Sequence, residues 1–151
     1  MPLGSSMQVS ASGLTAERLR LDVISNNLAN VNTTRGADGL PYRRQEVIFA
    51  ARQGGDSFAA RLASARGGRF AQGGAGAGVQ VSEIRSDMSS FKVIHDRDHP
   101  DADAQGNVKM PNIEPIIEMV DMMAATRAYE GGVTAITAAK QMQQRALDIG
   151  R

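Results

Sequence analysis

The chain has 151 residues, with 17 Lys and Arg against 16 Asp and Glu, and a net charge of +1 excludes the strong global field of a dedicated nucleic-acid binder. There is no cysteine, which rules out a disulfide framework, a thiolate metal site and a thiol nucleophile. Apolar residues make up 42% but aromatics only 4%, with 8 Met and no Trp, so burial must come from helix seams rather than large rigid anchors.

The first residues, Met1 to Val9, have no basic start or long apolar run, and nowhere do 18 apolar residues follow one another. Neither a general-secretory route through a cleavable signal peptide nor a direct membrane span is therefore expected. Ser5 to Gln8 fits a capping box, followed by a helical pattern to about Asn32. Leu14, Leu21 and Leu28 recur every seven residues and Ile24 and Val31 fill the intermediate position, although Glu17 holds it one heptad earlier. Such a helix is marginal alone and needs a partner.

Ser25 to Thr34 contains Asn26, Asn27, Asn30 and Asn32, followed by two Thr. Asn competes with the helix for backbone hydrogen bonds, so one reading is a C-terminal cap. The other is that these amides, with donors and an acceptor each, bridge neighbouring helices in an assembly. The sequence leaves both open.

Between the helices, residues 42–49, 79–84 and 91–95 read as strands, and 103–108 as a turn before a short extended run. Residues 54–78 hold half of the glycines and read as a flexible loop, with a short helix at 57–65. From Arg35 to Arg69 seven Arg face three acidic residues, and from Glu83 to Asp121 nine acidic residues face four basic ones. These are either two solvated loops or a basic and an acidic face that meet when copies stack.

Asn112 to Ile149 reads as one helix of roughly 55 Å at about 1.5 Å per residue, with Asn112 as N-cap, Pro115 in the first turn and Gly150 as stop. One seam runs through Ile113, Ile117, Val120, Ala124, Ala128, Gly131, Ala135, Ala138 and Met142, and a second through Ile116, Met119, Met123, Val133 and Leu147. One seam is expected to meet Leu14–Val31 of the same chain and the other to meet further subunits. Ala124, Ala128, Gly131 and Ala135 would allow close approach. The pair Gly131-Gly132 permits either a kink or close helix contact. The resulting fold class is mainly α with a small β-rich insert, the long terminal helices pairing as a coiled-coil-like hairpin. Residues 1–34 and 112–151 form the paired helices, and 35–111 the small β-rich domain.

The densest ligand-type cluster is His95, Asp96, Asp98, His99, Asp101 and Asp103. Asp101-x-Asp103-x-Gln105-Gly106 imitates the start of a calcium loop, but Gln105 is a poor ligand and the twelfth position is Asn112 rather than Glu. Zinc at His95 and His99 lacks further ligands of fixed geometry. No nucleophile–base pair, phosphate-cradling motif or dinucleotide fingerprint is present. No catalytic, cofactor-binding or metal residues are assigned, and no cofactor, nucleic acid or enzyme activity is expected.

The stretch LTAERLRLDVISNNLANVNTT at 14–34 resembles the N-terminal signature of the bacterial flagellar rod and hook family. Phe91 to Asp96, His99 to Ala104, Glu118 to Met122, Arg127 to Glu130 and Thr137 to Met142 are similar to the proximal-rod members. The family implies a structural subunit of the rod crossing the periplasm, exported unfolded through the flagellar type III apparatus and assembled helically with itself and other rod subunits to transmit torque. Its interface would use Leu14, Leu21, Ile24, Asn26, Asn27, Leu28, Asn30, Val31, Ile117, Val120, Ala124, Ala128, Tyr129, Ala135, Ala138 and Met142. Phe58-x-x-x-Leu62 fits a Phe-x-x-x-apolar export-gate motif. Another axial subunit is the main alternative; a metal-binding regulator or an Arg-driven nucleic-acid binder are others.

Overall fold

The computed structural model describes residues 3–36, 38–52 and 78–149. The elements in chain order are α1 (Leu3–Ala29), β1 (Gln45–Ala51), β2 (Val79–Ser86), β3 (Lys92–His95), β4 (Asn107–Met110) and α2 (Pro115–Ile149). Two helices thus flank small strand pairs, as expected. The short helix at 57–65 and the Phe58–Leu62 motif lie outside the described residues.

Helix α1 begins at Leu3, ahead of Ser5, so the predicted capping box is not its start. Its end is a C-terminal cap built by Asn30. The Asn30 backbone N–H donates to the carbonyls of Asn26 at 3.1 Å and Asn27 at 3.2 Å, and its side-chain Nδ2 donates to Asn26 O at 2.9 Å. Thr33 Oγ1 donates to Asn30 Oδ1 at 3.1 Å and fixes that amide. The helix stops at Ala29, short of Asn32, because the amides claim the last carbonyls.

Helix α2 starts with the bond from Glu118 N to Glu114 O at 3.1 Å, and Pro115 occupies the first turn, where no N–H is used. Asn112 lies ahead of that turn and does not cap it; its side chain is engaged elsewhere. The helix runs unbroken through Gly131 and Gly132. A Cβ on Gly132 would lie 2.7 Å from Leu14 Cδ2, whereas one on Gly131 would meet nothing within 4 Å. Of the two readings for this pair, close contact holds at Gly132.

The strands form two two-stranded sheets, β1–β2 and β3–β4. Asp87 N donates to Arg44 O and Arg52 N to Gly78 O, each at 2.8 Å, so β1 and β2 run antiparallel. In the second sheet Lys92 pairs with Met110 and His95 with Asn107, also antiparallel. Its turn uses Gly106 at φ +80°, and Asp103 Oδ1 accepts the N–H groups of Asn107 at 2.8 Å and Gln105 at 2.9 Å. The backbone N–H of Asn107 first, and that of Gln105 with it, hold the Asp103 carboxyl below the usual carboxylate range.

The chain divides into two compact units. One takes in residues 1–17, 49–82 and 128–151; the other takes in 18–48 and 83–127. In the first, Ala16 and Ala139 are buried, and Leu14 sits against Gly132. Ser12 Oγ donates to Val9 O at 2.7 Å and accepts from Val79 N at 3.0 Å, which ties α1 to the start of β2. Gly78 stands at φ +109°, and a Cβ there would collide with that same hydroxyl. In the second unit Val23, Ile24, Val108, Ile113 and Ala125 make the apolar core, with Asn27 and Glu118 buried among them.

Neither predicted seam of α2 is the one turned inward. The covered residues are Glu118, Ala125 and Ala139, with Asp121, Met122, Tyr129, Gly132 and Ile136 half-buried, at successive spacings of three and four. Of the predicted seams, Ile116, Ile117, Met119, Val120, Met123, Val133, Met142 and Leu147 are exposed. The inward stripe was hidden in the sequence because it carries a Glu, an Asp, a Tyr and a Gly, which hydropathy counts against burial. A buried charge is tolerated only when paired and hydrogen-bonded, and Glu118 meets that condition.

Candidate functional site: a buried polar clamp and an exposed apolar face

The second unit is held by one polar network joining the end of α1, the start of β1 and the start of α2. Asn27 and Glu118 are each 1% exposed. Asn27 Nδ2 donates to Gln45 O at 2.9 Å and to Glu118 Oε2 at 3.1 Å. Its Oδ1 accepts from Gln45 N at 2.9 Å and from Tyr42 Oη at 3.2 Å. Both donors and both lone pairs of the amide are therefore used. Toward Gln45 the side chain behaves as a neighbouring strand's peptide group would, which explains why β1 begins there rather than at Tyr42.

Arg44 completes the network. Its Nε donates to Glu118 Oε1, its Nη1 to Glu46 Oε1 at 3.0 Å, and its Nη2 to Asp121 Oδ2 at 3.3 Å. Arg20 stands 3.9 Å from the other Asp121 oxygen, and Arg85 3.4 Å from Glu46. Burial pushes the Arg44 guanidinium down, but the hydrogen bond and charge of Glu118, with Glu46 and Asp121, outweigh it and leave the pKa raised. Burial, then the Glu118 charge, pushes the Tyr42 phenol up from 10.0, so it stays a donor.

A second layer surrounds this centre. Asn112 Oδ1 accepts from Arg44 N at 3.1 Å and its Nδ2 donates to Ser89 Oγ at 2.7 Å, so the residue read as an N-cap instead joins β1 to the turn after β2. Arg43 donates to the carbonyls of Asp87 and Ser89 at 3.2 Å and lies 4.3 Å over the Phe91 ring. The Ser89 backbone N–H first holds the Asp87 carboxyl below its usual range.

The structure brings Ile24 and Asn27 into this core and leaves Leu21, Leu28 and Val31 half-buried, while Leu14, in the first unit, is half-buried against Gly132. Asn26 is exposed and Asn30 is the helix cap. Ile117, Val120, Ala124, Ala128, Ala135, Ala138 and Met142 are exposed, and Tyr129 is half-buried. In the second unit Ile116, Ile117, Met119, Val120 and Met123 form a continuous apolar face on α2 on the side away from Glu118, with Val120 55% exposed. Sequence reasoning missed Arg44, Tyr42 and Glu118 as partners. The available signal was a Glu set among Ile116, Ile117, Met119 and Val120, which needs a cation, and an Arg pair just ahead of a strand.

In the acidic loop, Thr34 Oγ1 donates to Asp101 Oδ2 at 2.7 Å, Arg35 lies 3.7 Å from Asp101 Oδ1, and Asp103 is spent on its own turn. Among the described residues no group of three His, Asp or Glu is placed to hold a metal, and no helix is long and apolar enough to cross a membrane.

Residues 7–37 match the family described as flagella basal body rod protein, and residues 104–149 match the flagellar basal body rod FlgEFG protein C-terminal family. The chain is 47% identical over 150 residues to the flagellar basal-body rod protein FlgC of Bacillus subtilis, covering 97% of each chain. It is 45% identical over 153 residues to that of Borreliella burgdorferi, covering 99% of this chain and 98% of the relative. To that of Escherichia coli O6:H1 it is 33% identical over 151 residues, covering 100% of both. With the matches at both termini and similarity along the whole length, the chain belongs to the FlgC family of flagellar basal-body rod proteins, which are structural and not enzymatic.

Proposed function

We propose that this rod subunit is exported unfolded through the flagellar type III apparatus, and assembles helically with itself and other rod subunits in the periplasm to transmit torque. The observation that carries this reading is the exposed apolar face of α2. A face of that kind on a chain with near-neutral net charge needs a cover, and neighbouring subunits supply one. A heterologous contact that does not close on itself gives a helical array.

In this reading residues 1–34 and 112–151 form the axial core as a coiled-coil-like pair, and 35–111 form the insert. The second unit, with its own core, folds in the isolated chain. The far end of α2, where Val133, Met142 and Leu147 are exposed, orders fully on assembly, so the cost of ordering it is met at the growing tip. Torque passes through many small contacts. Phe58 and Leu62 engage the export gate.

The test is a chromosomal Val120→Asp/Met123→Asp replacement in a motile host. Secretion of the subunit should persist while isolated basal bodies lack a rod; intact rods with both charges present would remove the α2 face from the interface. Replacing Phe58 with Ala should instead lower secretion itself.

A further inference from the structure

We propose that Asn27, Arg44 and Glu118 act as a register key, selecting one axial alignment of α1 against α2 over alignments displaced by a helical turn. The apolar residues beside them do not discriminate well. On α1 the same-face neighbours of Asn27 one turn back are Val23 and Ile24, and on α2 the neighbours of Glu118 one turn on are Asp121 and Met122. On the α1 side a one-turn slip only exchanges one aliphatic contact for another.

The polar groups do discriminate. Asn27 is pinned to β1 through both the N–H and the C=O of Gln45, and Arg44 is the residue next to Gln45. The end of α1 and the start of β1 therefore present one donor pair, Asn27 Nδ2 and Arg44 Nε, at one height along α2. Only a carboxylate at that height satisfies both. A slip that brings Val23 or Ile24 opposite Glu118 leaves a carboxylate that is 1% exposed without its donors. A slip the other way offers Asn27 the Met122 thioether, a weak acceptor, and the Asp121 carboxylate, which would have to leave Arg20, and it too carries Glu118 away from both of its donors. Each missing bond to a buried group shifts populations by about tenfold or more. Buried ion pairs contribute little net stability against apolar replacements of similar size, and fixing a register is their best-attested use.

The chain has no cysteine, so engineered thiols report alignment directly. Arg20 and Asp121 mark the observed register, and Ile117 and Ala124 lie a turn to either side of Asp121. Purified full-length chains carrying Arg20→Cys with Asp121→Cys, Ile117→Cys or Ala124→Cys are treated with a short bis-maleimide. The ratio of the 20–121 adduct to the others should fall about tenfold when Asn27→Leu is added, or Arg44→Met with Glu118→Leu. Both replacements should leave the helix signal in circular dichroism unchanged, since Leu at 27 and 118 is a good helix former and Arg44 lies outside both helices. An unchanged adduct ratio overturns the proposal. So does a ratio that falls only together with the helix signal, because the network would then be an ordinary stabilising contact.

Discussion

Removing the two ends of the central ion pair should have unequal costs. Arg44→Met leaves the Glu118 carboxylate, 1% exposed, with one remaining donor in Asn27. Leaving a buried charge uncompensated costs about 3–5 kcal/mol. Glu118→Leu leaves a guanidinium whose side chain is 20% exposed and still faces Glu46 at 3.0 Å and Asp121 at 3.3 Å. That cation can re-solvate, so the loss should be about 1–2 kcal/mol. The double replacement removes both charges and puts apolar volume into an apolar surround, and should cost less than Arg44→Met alone. Against a total stability of about 5–15 kcal/mol for a small domain, the first change is large enough to move a urea midpoint far outside error. The assay is urea unfolding of the four chains at neutral pH followed by circular dichroism, read as a double-mutant cycle. Equal losses for the two single changes, or a double change equal to their sum, would refute a desolvated carboxylate as the centre of the network.

The adjacent glycines of α2 give a paired test. Gly131→Ala meets open space and should stabilise the isolated chain by up to about 1 kcal/mol, while Gly132→Ala must displace Leu14 and should gain nothing or lose about 1 kcal/mol, as thermal melts would show. Gly78→Ala combines φ +109° with a collision on Ser12 Oγ and should cost about 2–4 kcal/mol in the same melts; a neutral result would remove the close approach of β2 to α1. The Tyr42 phenol is raised in the fold, so its contribution is complete below pH 10.0 and is lost as pH rises through the higher folded value. Stability measured across that range should fall less steeply in Tyr42→Phe, which at neutral pH should cost about 1 kcal/mol for the bond to Asn27.

Much of the architecture is legible in the sequence because local chemistry specifies it. Long runs with three–four spacing and no interior Pro give the two helices, and alternating Val79 and Val81 give the second strand. Asn30 could be read as a cap because its chemistry is local. What escaped was pairing at a distance. Glu118 is separated from Asn27 by 91 positions and from Arg44 by 74, and no spacing rule links them. A helix apolar on most of its circumference over residues 116–124 has no single moment to point at the core. The inward face is then chosen by the one position able to satisfy buried donors, and that position is charged. Asn112 departs from its expected role for the same reason: a cap is a local use of an amide, and here the amide serves two distant backbone segments.

The compactness of the clamp bears on how the pair of helices resists being pulled. Glu118 and Asp121 sit within about 5 Å of each other along α2, at about 1.5 Å per residue, and between them receive Asn27, Arg44 and Arg20. An axial slide of one helix past the other loads all of these bonds at once, whereas prising the helices apart from one end strains them one after another. The joint is thus stiff in shear and yielding in peel, like a lap seam, and the direction of the applied force decides which it meets.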